Sequence, residues 1–416
     1  MSRHVIVVGG GVIGTACAHE LSHAGCRVTV VDQGRHGAAC SHANCGYVCP
    51  SHVLPLTEPG AIGNALKSMF DRNSPFRVKP RLDFALIKWL WNFARRCNEQ
   101  DMFAAAEGLQ PLLLSSLDLY RELIATHQLD CDWEERGLLY VYRSRDRFAA
   151  YAKTDTLLRD RYNEPARRVE PDELAAIEPA LKPGMAGGWL YEHDAHLRSD
   201  KLMPAWKAML ESRGVTFVEL EKVEQFQGRD GLASSVRTAS GRELAADAFV
   251  VATGAWGPFL QSQLGCSIPI QPGKGYSITM PRPNPCPVYP MIFPETRVAV
   301  TPWASGYRLG STMEFAGYDS SINPRRLDLL RRGSLDYLKE PYCEPVQEVW
   351  YGWRPMTWDG LPIIDRSPRW ENTFIAAGHN MIGLSMATGT GRLIRELLLG
   401  ETPHINPAYY NVDRFG

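Results

Sequence analysis

Apolar residues along this chain follow two periods. Val5-Ile6-Val7-Val8 is an unbroken apolar run of strand length, closed by Gly9-Gly10-Gly11. Such a run between turn residues predicts a strand buried on both faces. Helical spacing then begins near Val12, and a second strand, Arg27-Val28-Thr29-Val30-Val31, ends at Asp32. The same buried-strand pattern returns at Ala248–Thr253, before Gly254, and at Thr373–Gly378. A glycine-rich turn and a helix from Leu384 to Leu399 follow, with Gly400 as C-cap and Pro403 just beyond.

Between these runs, residues 61–128 carry Leu, Phe and Trp at helical spacing. Helices are also predicted over 146–162, 171–177, 199–212 and 325–338, and strands over 137–142, 215–220 and around 232–239. Gly37 to Pro59 reads as an extended loop. Residues 263–316 are rich in Pro, Gly and short β-runs, which suits an antiparallel sheet. The expectation is an α/β chain, α+β overall, that weaves between two domains. Segments 1–49, 187–262 and 346–416 build a Rossmann-like domain. Segments 50–186 and 263–345 build an inserted, mainly antiparallel β-sheet domain carrying helices.

Composition narrows the function. The formal net charge of -1 over 416 residues gives no sign of a nucleic-acid partner. Ten cysteines without regular spacing fit a reducing compartment. No run of about 20 uncharged apolar residues appears, and the N-terminal apolar stretch reads as a strand, not a leader. The expected location is the cytoplasm, with peripheral contact at the inner face of the membrane as the variant reading. Cys40, Cys45 and Cys49 match no standard cluster spacing, so no metal is expected.

The chemistry begins at Gly9-x-Gly11-x-x-Gly14. Gly9 permits a tight turn, Gly11 lets the backbone approach a pyrophosphate, and Gly14 lets helix and strand pack closely. The N–H groups of the helix start at Val12 and Ile13 face the phosphates. Asp32 accepts hydrogen bonds from ribose hydroxyls and would repel a 2′-phosphate.

Further motifs extend the pattern: Ser41-His42-Ala43-Asn44-Cys45-Gly46-Tyr47, Pro55 to Gly60, Val251-Ala252-Thr253-Gly254-Ala255-Trp256, Gly275-Tyr276-Ser277 and Arg308-Leu309-Gly310-Ser311-Thr312-Met313-Glu314. Near the C-terminus stand Gly352-Trp353-Arg354-Pro355 with Asp359-Gly360-Leu361-Pro362, and Gly378-His379-Asn380-Met381-Ile382-Gly383-Leu384-Ser385. With these the chain resembles the flavin-dependent amine oxidoreductases that include D-amino-acid oxidase, glycine oxidase and sarcosine oxidase. Within that family it is most similar to the bacterial D-amino-acid dehydrogenases of the small-subunit type.

The resemblance implies FAD and oxidation of a carbon–nitrogen bond beside a carboxylate. A hydride passes from Cα to flavin N5, giving an imine, or a 2-keto acid plus ammonia. Cyclic D-imino acids such as D-proline and D-hydroxyproline lie within the family's range, and electrons pass to a quinone or other non-oxygen acceptor. Arg354 is the implied carboxylate clamp, since a guanidinium grips both oxygens in parallel. The competing reading of Arg354 is a buried structural ion pair with Asp359 or Asp365. Tyr276 and His379 are the other implied catalytic-site residues. Gln33 and Val223 join the nucleotide group. Ser41, Ala43, Asn44, Cys45 and Gly46 lie along the flavin, with Thr253, Gly254 and Trp256 nearby. Gly378, Asn380, Met381, Ile382, Gly383, Leu384 and Ser385 form the turn and helix start aimed at the flavin N1–C2=O edge. The last cysteine, Cys343, precedes the arginine motif and His42 is one residue out of register, so the FAD is expected to be non-covalent.

Phe84 to Arg96 holds Trp89, Trp91 and Phe93 before Arg95 and Arg96. This helix either lies on a membrane or packs on the substrate domain with a solvated basic end. Two other functions compete with the dehydrogenase: a glycine/sarcosine-type oxidase, and a flavoprotein subunit that works only with a partner.

Overall fold

Strand His4–Val8 lies inside a six-stranded sheet, with buried side chains along nearly its whole length. The strand order is Ile363–Arg366, Thr373–Ala377, Ala248–Val251, His4–Val8, Arg27–Val31, Thr216–Val218. Every pairing is parallel except the first, at the edge. All but Ile363–Arg366 are strands read from the sequence, and burial on both faces is why the central runs carry no alternation. The computed structural model describes residues 2–60, 63, 74, 76–79 and 81–416.

Four helices matter for the site: α1 (Val12–His23), α2 (Phe84–Arg96), α3 (Glu99–His127) and α4 (Gly383–Leu399). Glycines on α4 set its packing. A Cβ at Gly391 would lie 2.6 Å from the Ala16 backbone of α1, and one at Gly389 would lie 2.9 Å from the Leu112 carbonyl of α3. Backbone-to-backbone approach of this kind excludes any side chain.

A second sheet has nine strands. Its path runs Glu348–Met356, Gln271–Met280, Gly306–Phe315, Val298–Trp303, Met291–Phe293, Leu138–Tyr142, Gly187–Tyr191, Arg167–Val169, and Phe76–Val78 adds to Gly306–Phe315. Its core strands pair antiparallel, as the 263–316 composition predicts. The architecture is a Rossmann-like domain joined to a β-sheet domain.

The structure departs from the sequence reading in four places. Gly187–Tyr191 and Glu348–Met356 hydrogen-bond into the large sheet, although both fall in segments assigned to the Rossmann-like domain. Sheet membership is set by partners from about 20 to 85 residues away, which local pattern does not encode. Phe76–Val78 is a strand inside a span read as helical; residues 61–62, 64–73, 75 and 80 of that span lie outside the described residues. The helix over 146–162 is two helices, Arg145–Ala150 and Ala152–Tyr162, meeting at Tyr151. Three strands, Val223–Arg229, Leu232–Thr238 and Glu243–Ala245, form a small separate sheet where two were expected.

Candidate active site

One cavity of about 550 Å³ runs from the C-terminal ends of the parallel strands to the face of the large sheet. It has the size expected of a small-molecule site. At its first end Gly9 has φ +111°, and a Cβ there would lie 2.3 Å from the Ala252 carbonyl. Gly11 caps α1 with extended backbone and no side-chain cap. The Val12 N–H donates to Ser41 Oγ at 2.9 Å, so the loop after the second strand is fastened to the helix start. Gly9, Gly11, Val12, Ile13, Asp32, Gln33 and Val223 all line this end. Gly14 does not: its Cβ would sit 1.9 Å from the Gly9 carbonyl, so it is a packing glycine.

Asp32 is held by the N–H groups of Gly10 at 2.6 Å and Gly34 at 2.7 Å. Burial nevertheless raises its carboxyl above the ordinary range. Each oxygen keeps a further lone pair for a ribose hydroxyl.

Ser41, Ala43, Asn44, Cys45 and Gly46 line the middle of the cavity. The segment is positioned by residues that sequence reasoning left unassigned. Ser277 Oγ donates to the Ala43 carbonyl at 2.8 Å, Thr301 Oγ1 to the Cys45 carbonyl at 2.7 Å, and Arg308 Nη1 to the Asn44 carbonyl at 2.7 Å. Arg308 is fully buried and anchored to Asp200. Its place at the head of the Arg308-to-Glu314 motif was the signal available for it. Gly46, at φ +77°, passes so close to the Leu197 carbonyl that a Cβ would lie 1.8 Å away. Thr253, Gly254 and Trp256 also line the cavity, and Thr253 Oγ1 is buried without a hydrogen-bond partner. A buried orphan hydroxyl on a cavity wall fits a polar ligand group there.

Arg354, on strand Glu348–Met356, lines the far end. Its Nη1 donates to the Thr312 carbonyl at 2.7 Å. Its guanidinium lies against Gly275, where a Cβ would come within 2.4 Å of Cζ. Ser311 and Thr312 have φ of +118° and +58° at a break in strand register beside Tyr276. That strained bulge accompanies the carbonyl that receives Arg354. Desolvation lowers the Arg354 pKa, with the nearby Cys40 and Cys45 acting the other way. No carboxylate pairs with Arg354 among the described residues. Asp359 pairs with Arg414 at 2.7 Å, and Asp365 accepts from the Val412 N–H at 2.9 Å. The structural ion pair with Asp359 or Asp365 is therefore overturned. A desolvated guanidinium without an anion, on a cavity wall, fits an anionic ligand.

Tyr276 also lines the cavity, but its hydroxyl donates to Glu314 Oε2 at 2.9 Å. The ring, not the OH, is what it has to offer a ligand. His379 is buried, with Nε2 at 3.0 Å from Thr390 Oγ1 on α4, and burial pushes its pKa down to about 3. It is neutral at physiological pH and braces the turn. The Asn380 amide is likewise engaged: it accepts from the Thr357 N–H and donates to the Gly360 and Gly378 carbonyls. Gly378 lies off the cavity, its φ of +75° serving the turn. Met381, Ile382, Gly383, Leu384 and Ser385 line the cavity at the start of α4, which has no side-chain cap. An uncapped start of a 17-residue helix presents N–H donors and a positive dipole end.

The DAO family, described as FAD dependent oxidoreductase, matches residues 4–397. The D-amino acid dehydrogenase of Methylobacterium radiotolerans is 33% identical over 412 residues, covering 97% of both chains. That of Cereibacter sphaeroides is 32% identical over 421 residues, covering 99% of this chain and 95% of its own. Among solved structures, glycine oxidase from Geobacillus kaustophilus superposes with a TM-score of 0.80 at 22% identity, covering 99% of each chain. L-proline dehydrogenase from P. horikoshii gives 0.74 at 18% identity, covering 100% of this chain and 98% of its own.

Proposed function

The chain belongs to the DAO family of FAD dependent oxidoreductases, and from that premise we propose that it oxidises D-amino acids as a dehydrogenase. The observation that carries this reading is Arg354, a desolvated cation on the cavity wall whose partner is a backbone carbonyl and not a carboxylate. The glycine turn at Gly9 and Gly11, Asp32, the orphan Thr253 hydroxyl and the uncapped start of α4 fit FAD. Gly9, Gly11, Val12 and Ile13 would hold the pyrophosphate and Asp32 the ribose, with the FAD non-covalent.

Bound FAD would supply the acceptor for a hydride from the substrate Cα; the imine of a primary amine then hydrolyses to a 2-keto acid and ammonia, whereas the cyclic imine of a D-imino acid keeps its nitrogen and releases none. The protein's part is placement. Arg354 grips the carboxylate through two N–H groups, fixing Cα and making the transfer effectively intramolecular. The start of α4 stabilises negative charge that develops beside it. Neutral His379 holds the turn to α4 and moves no proton. The Tyr276 ring walls the substrate space. Cyclic D-imino acids such as D-proline and D-hydroxyproline belong to the proposed range, and a quinone or another non-oxygen acceptor takes the electrons.

Anaerobic titration with D- and L-amino acids, glycine, sarcosine and the proline epimers tests the reading. Bleaching of the flavin band by D-substrates, with slow peroxide formation in air, is the expected result. Fast oxidase turnover of glycine or sarcosine would move the protein to that branch of the family. A flavin band bleached by no compound would mean that the chain works only with a partner.

A further inference from the structure

Strand pairing leads the cavity away from Arg354 in one direction. The Arg354 guanidinium crosses over Gly275 on strand Gln271–Met280 and donates to the Thr312 carbonyl on strand Gly306–Phe315. Val298–Trp303 is the next strand of the sheet, then Met291–Phe293, then Leu138–Tyr142. Ala299 stands opposite Ile292, and Ile292 opposite Tyr140. Residues opposed across a ladder share a face, and Ala299 and Ile292 line the cavity. The Tyr140 side chain is therefore on the cavity face of the sheet. The residue it bonds there is His52, which lines the cavity as well.

His52 keeps one ring nitrogen unclaimed. The Tyr140 hydroxyl lies 3.1 Å from Nε2, while the buried Nδ1 has no hydrogen-bond partner among the described residues. Desolvation pushes the His52 pKa down to about 4, so the ring is neutral and carries a single N–H. Tyr140 decides which nitrogen holds it, since among the described residues its hydroxyl meets no other partner. With Tyr140 donating to Nε2, the proton sits on Nδ1 and one donor is orphaned. The reverse arrangement would leave both the tyrosine proton and Nδ1 unsatisfied, which costs more. Tyr140 is itself fixed: it stacks on Tyr151 at 5.7 Å and meets Tyr191 edge-on at 5.6 Å. Nearby polar groups are already spent. The Tyr47 hydroxyl lies 2.9 Å from the Met291 carbonyl and 3.0 Å from that of Val300, and Ser277 donates to the Ala43 carbonyl.

We propose that His52 sets specificity for the substrate side chain: its Nδ1–H donates to a neutral oxygen, a hydroxyl above all, on the molecule whose carboxylate Arg354 grips. Tyr140 is the positioning residue that fixes the donating tautomer. This role rests on the D-amino-acid reading and narrows it to side chains that carry an acceptor. Ala299 and Ile292 form the floor between the two anchors, and their aliphatic side chains take the carbon part of the substrate without competing for its oxygen. An aliphatic side chain leaves the buried N–H without a partner, whereas a hydroxyl satisfies it, so the discrimination runs one way. A side-chain carboxylate fits less well, because a neutral ring supplies no counter-charge.

Anaerobic flavin reduction with matched pairs tests this: D-threonine against D-valine, D-homoserine against D-norvaline, and cis-4-hydroxy-D-proline against D-proline. In the pair whose hydroxyl reaches His52, the hydroxylated member should be favoured about 10- to 100-fold in the bleaching rate constant over Kd, the cost of one unpaired buried donor. His52→Leu should collapse that ratio toward one. His52→Asn, whose amide N–H can stand where Nδ1–H stands, should retain most of it. Tyr140→Phe should lower the ratio, since both tautomers of His52 then become available. The ratio is taken within one protein, so lost folding, which scales both members alike, does not move it. A native flavin bleached equally by both members of every pair overturns this role alone, and so does a full ratio in His52→Leu. A flavin that none of the six compounds bleaches overturns the D-amino-acid reading, and this role with it.

Discussion

At Arg354, no carboxylate among the described residues supplies a counter-charge. Its guanidinium rests on Gly275 and donates to a carbonyl turned toward it by two residues at positive φ. Truncating it removes a charge-assisted, bidentate contact worth about 3 kcal/mol or more, so Arg354→Ala should lower kcat/KM about 10²–10³-fold with FAD still bound. Unchanged substrate dependence would place the clamp elsewhere. Gly275→Ala is a subtler probe, because the added methyl collides with the guanidinium and not with the backbone. It should weaken substrate binding with little change in melting temperature; an unchanged KM would show that Arg354 can shift without loss. Arg354 was legible because a Gly-x-Arg-Pro segment is specific. Ser277 and Arg308 stood inside motifs, yet their partners were not legible, nor was Thr301, since a strand residue carries no local mark of the distant loop carbonyl it bonds.

Among the elements, the start of α1 and the start of α4 meet the same cavity with different glycine duties. Gly14 is in contact with backbone on one side, and Gly14→Ala should destabilise the fold by roughly 1–3 kcal/mol through overpacking. A melting temperature equal to the parent's would contradict that. Asp32→Ala should leave folding largely intact and weaken FAD retention, measured as flavin released on dialysis; full retention would undo the ribose assignment. On α4, the glycine cluster mixed two functions in the sequence. Gly383 opens the helix at the cavity, whereas Gly389 and Gly391 admit α3 and α1. Only the packed neighbours tell them apart.

For the whole molecule, two groups tie the domains to pH. His42, in the segment along the cavity, pairs with Glu348 at 2.8 Å, on the strand that carries Arg354. Its hydrogen bond to Glu348 raises its pKa above the ordinary 6.5. That contribution is therefore complete below about 6.5 and is lost as pH rises through the raised value. Asp194, buried and bonded to the Ser51 N–H and hydroxyl, is pushed up to about 7 by desolvation. Its protonated form is the one the fold prefers, so stability falls as pH climbs from the ordinary 3.8 through about 7. Asp194→Asn should thus melt higher than the parent at pH 8–9, by up to a few kcal/mol, and show little such gain near pH 4. Melting curves across pH check it; a constant difference at all pH values would show that Asp194 does not titrate in this range.

The sequence by itself determined the parallel strands, the glycine turn with Asp32, the helix after Gly383 and the arginine motif. Each of these is written in short-range terms: an apolar run, a glycine at fixed spacing, a cap. The tertiary structure decided which sheet Gly187–Tyr191 and Glu348–Met356 join, that Gly14 and Gly378 stand off the cavity, and that His379 and Asn380 are engaged inward. Among the described residues it also left Arg354 without a carboxylate partner, and it left Phe84, Ile87 and Trp91 exposed. These outcomes depend on which groups meet across tens to hundreds of residues, and hydrogen-bond partners, burial and missing counter-charges exist only once the chain has closed on itself.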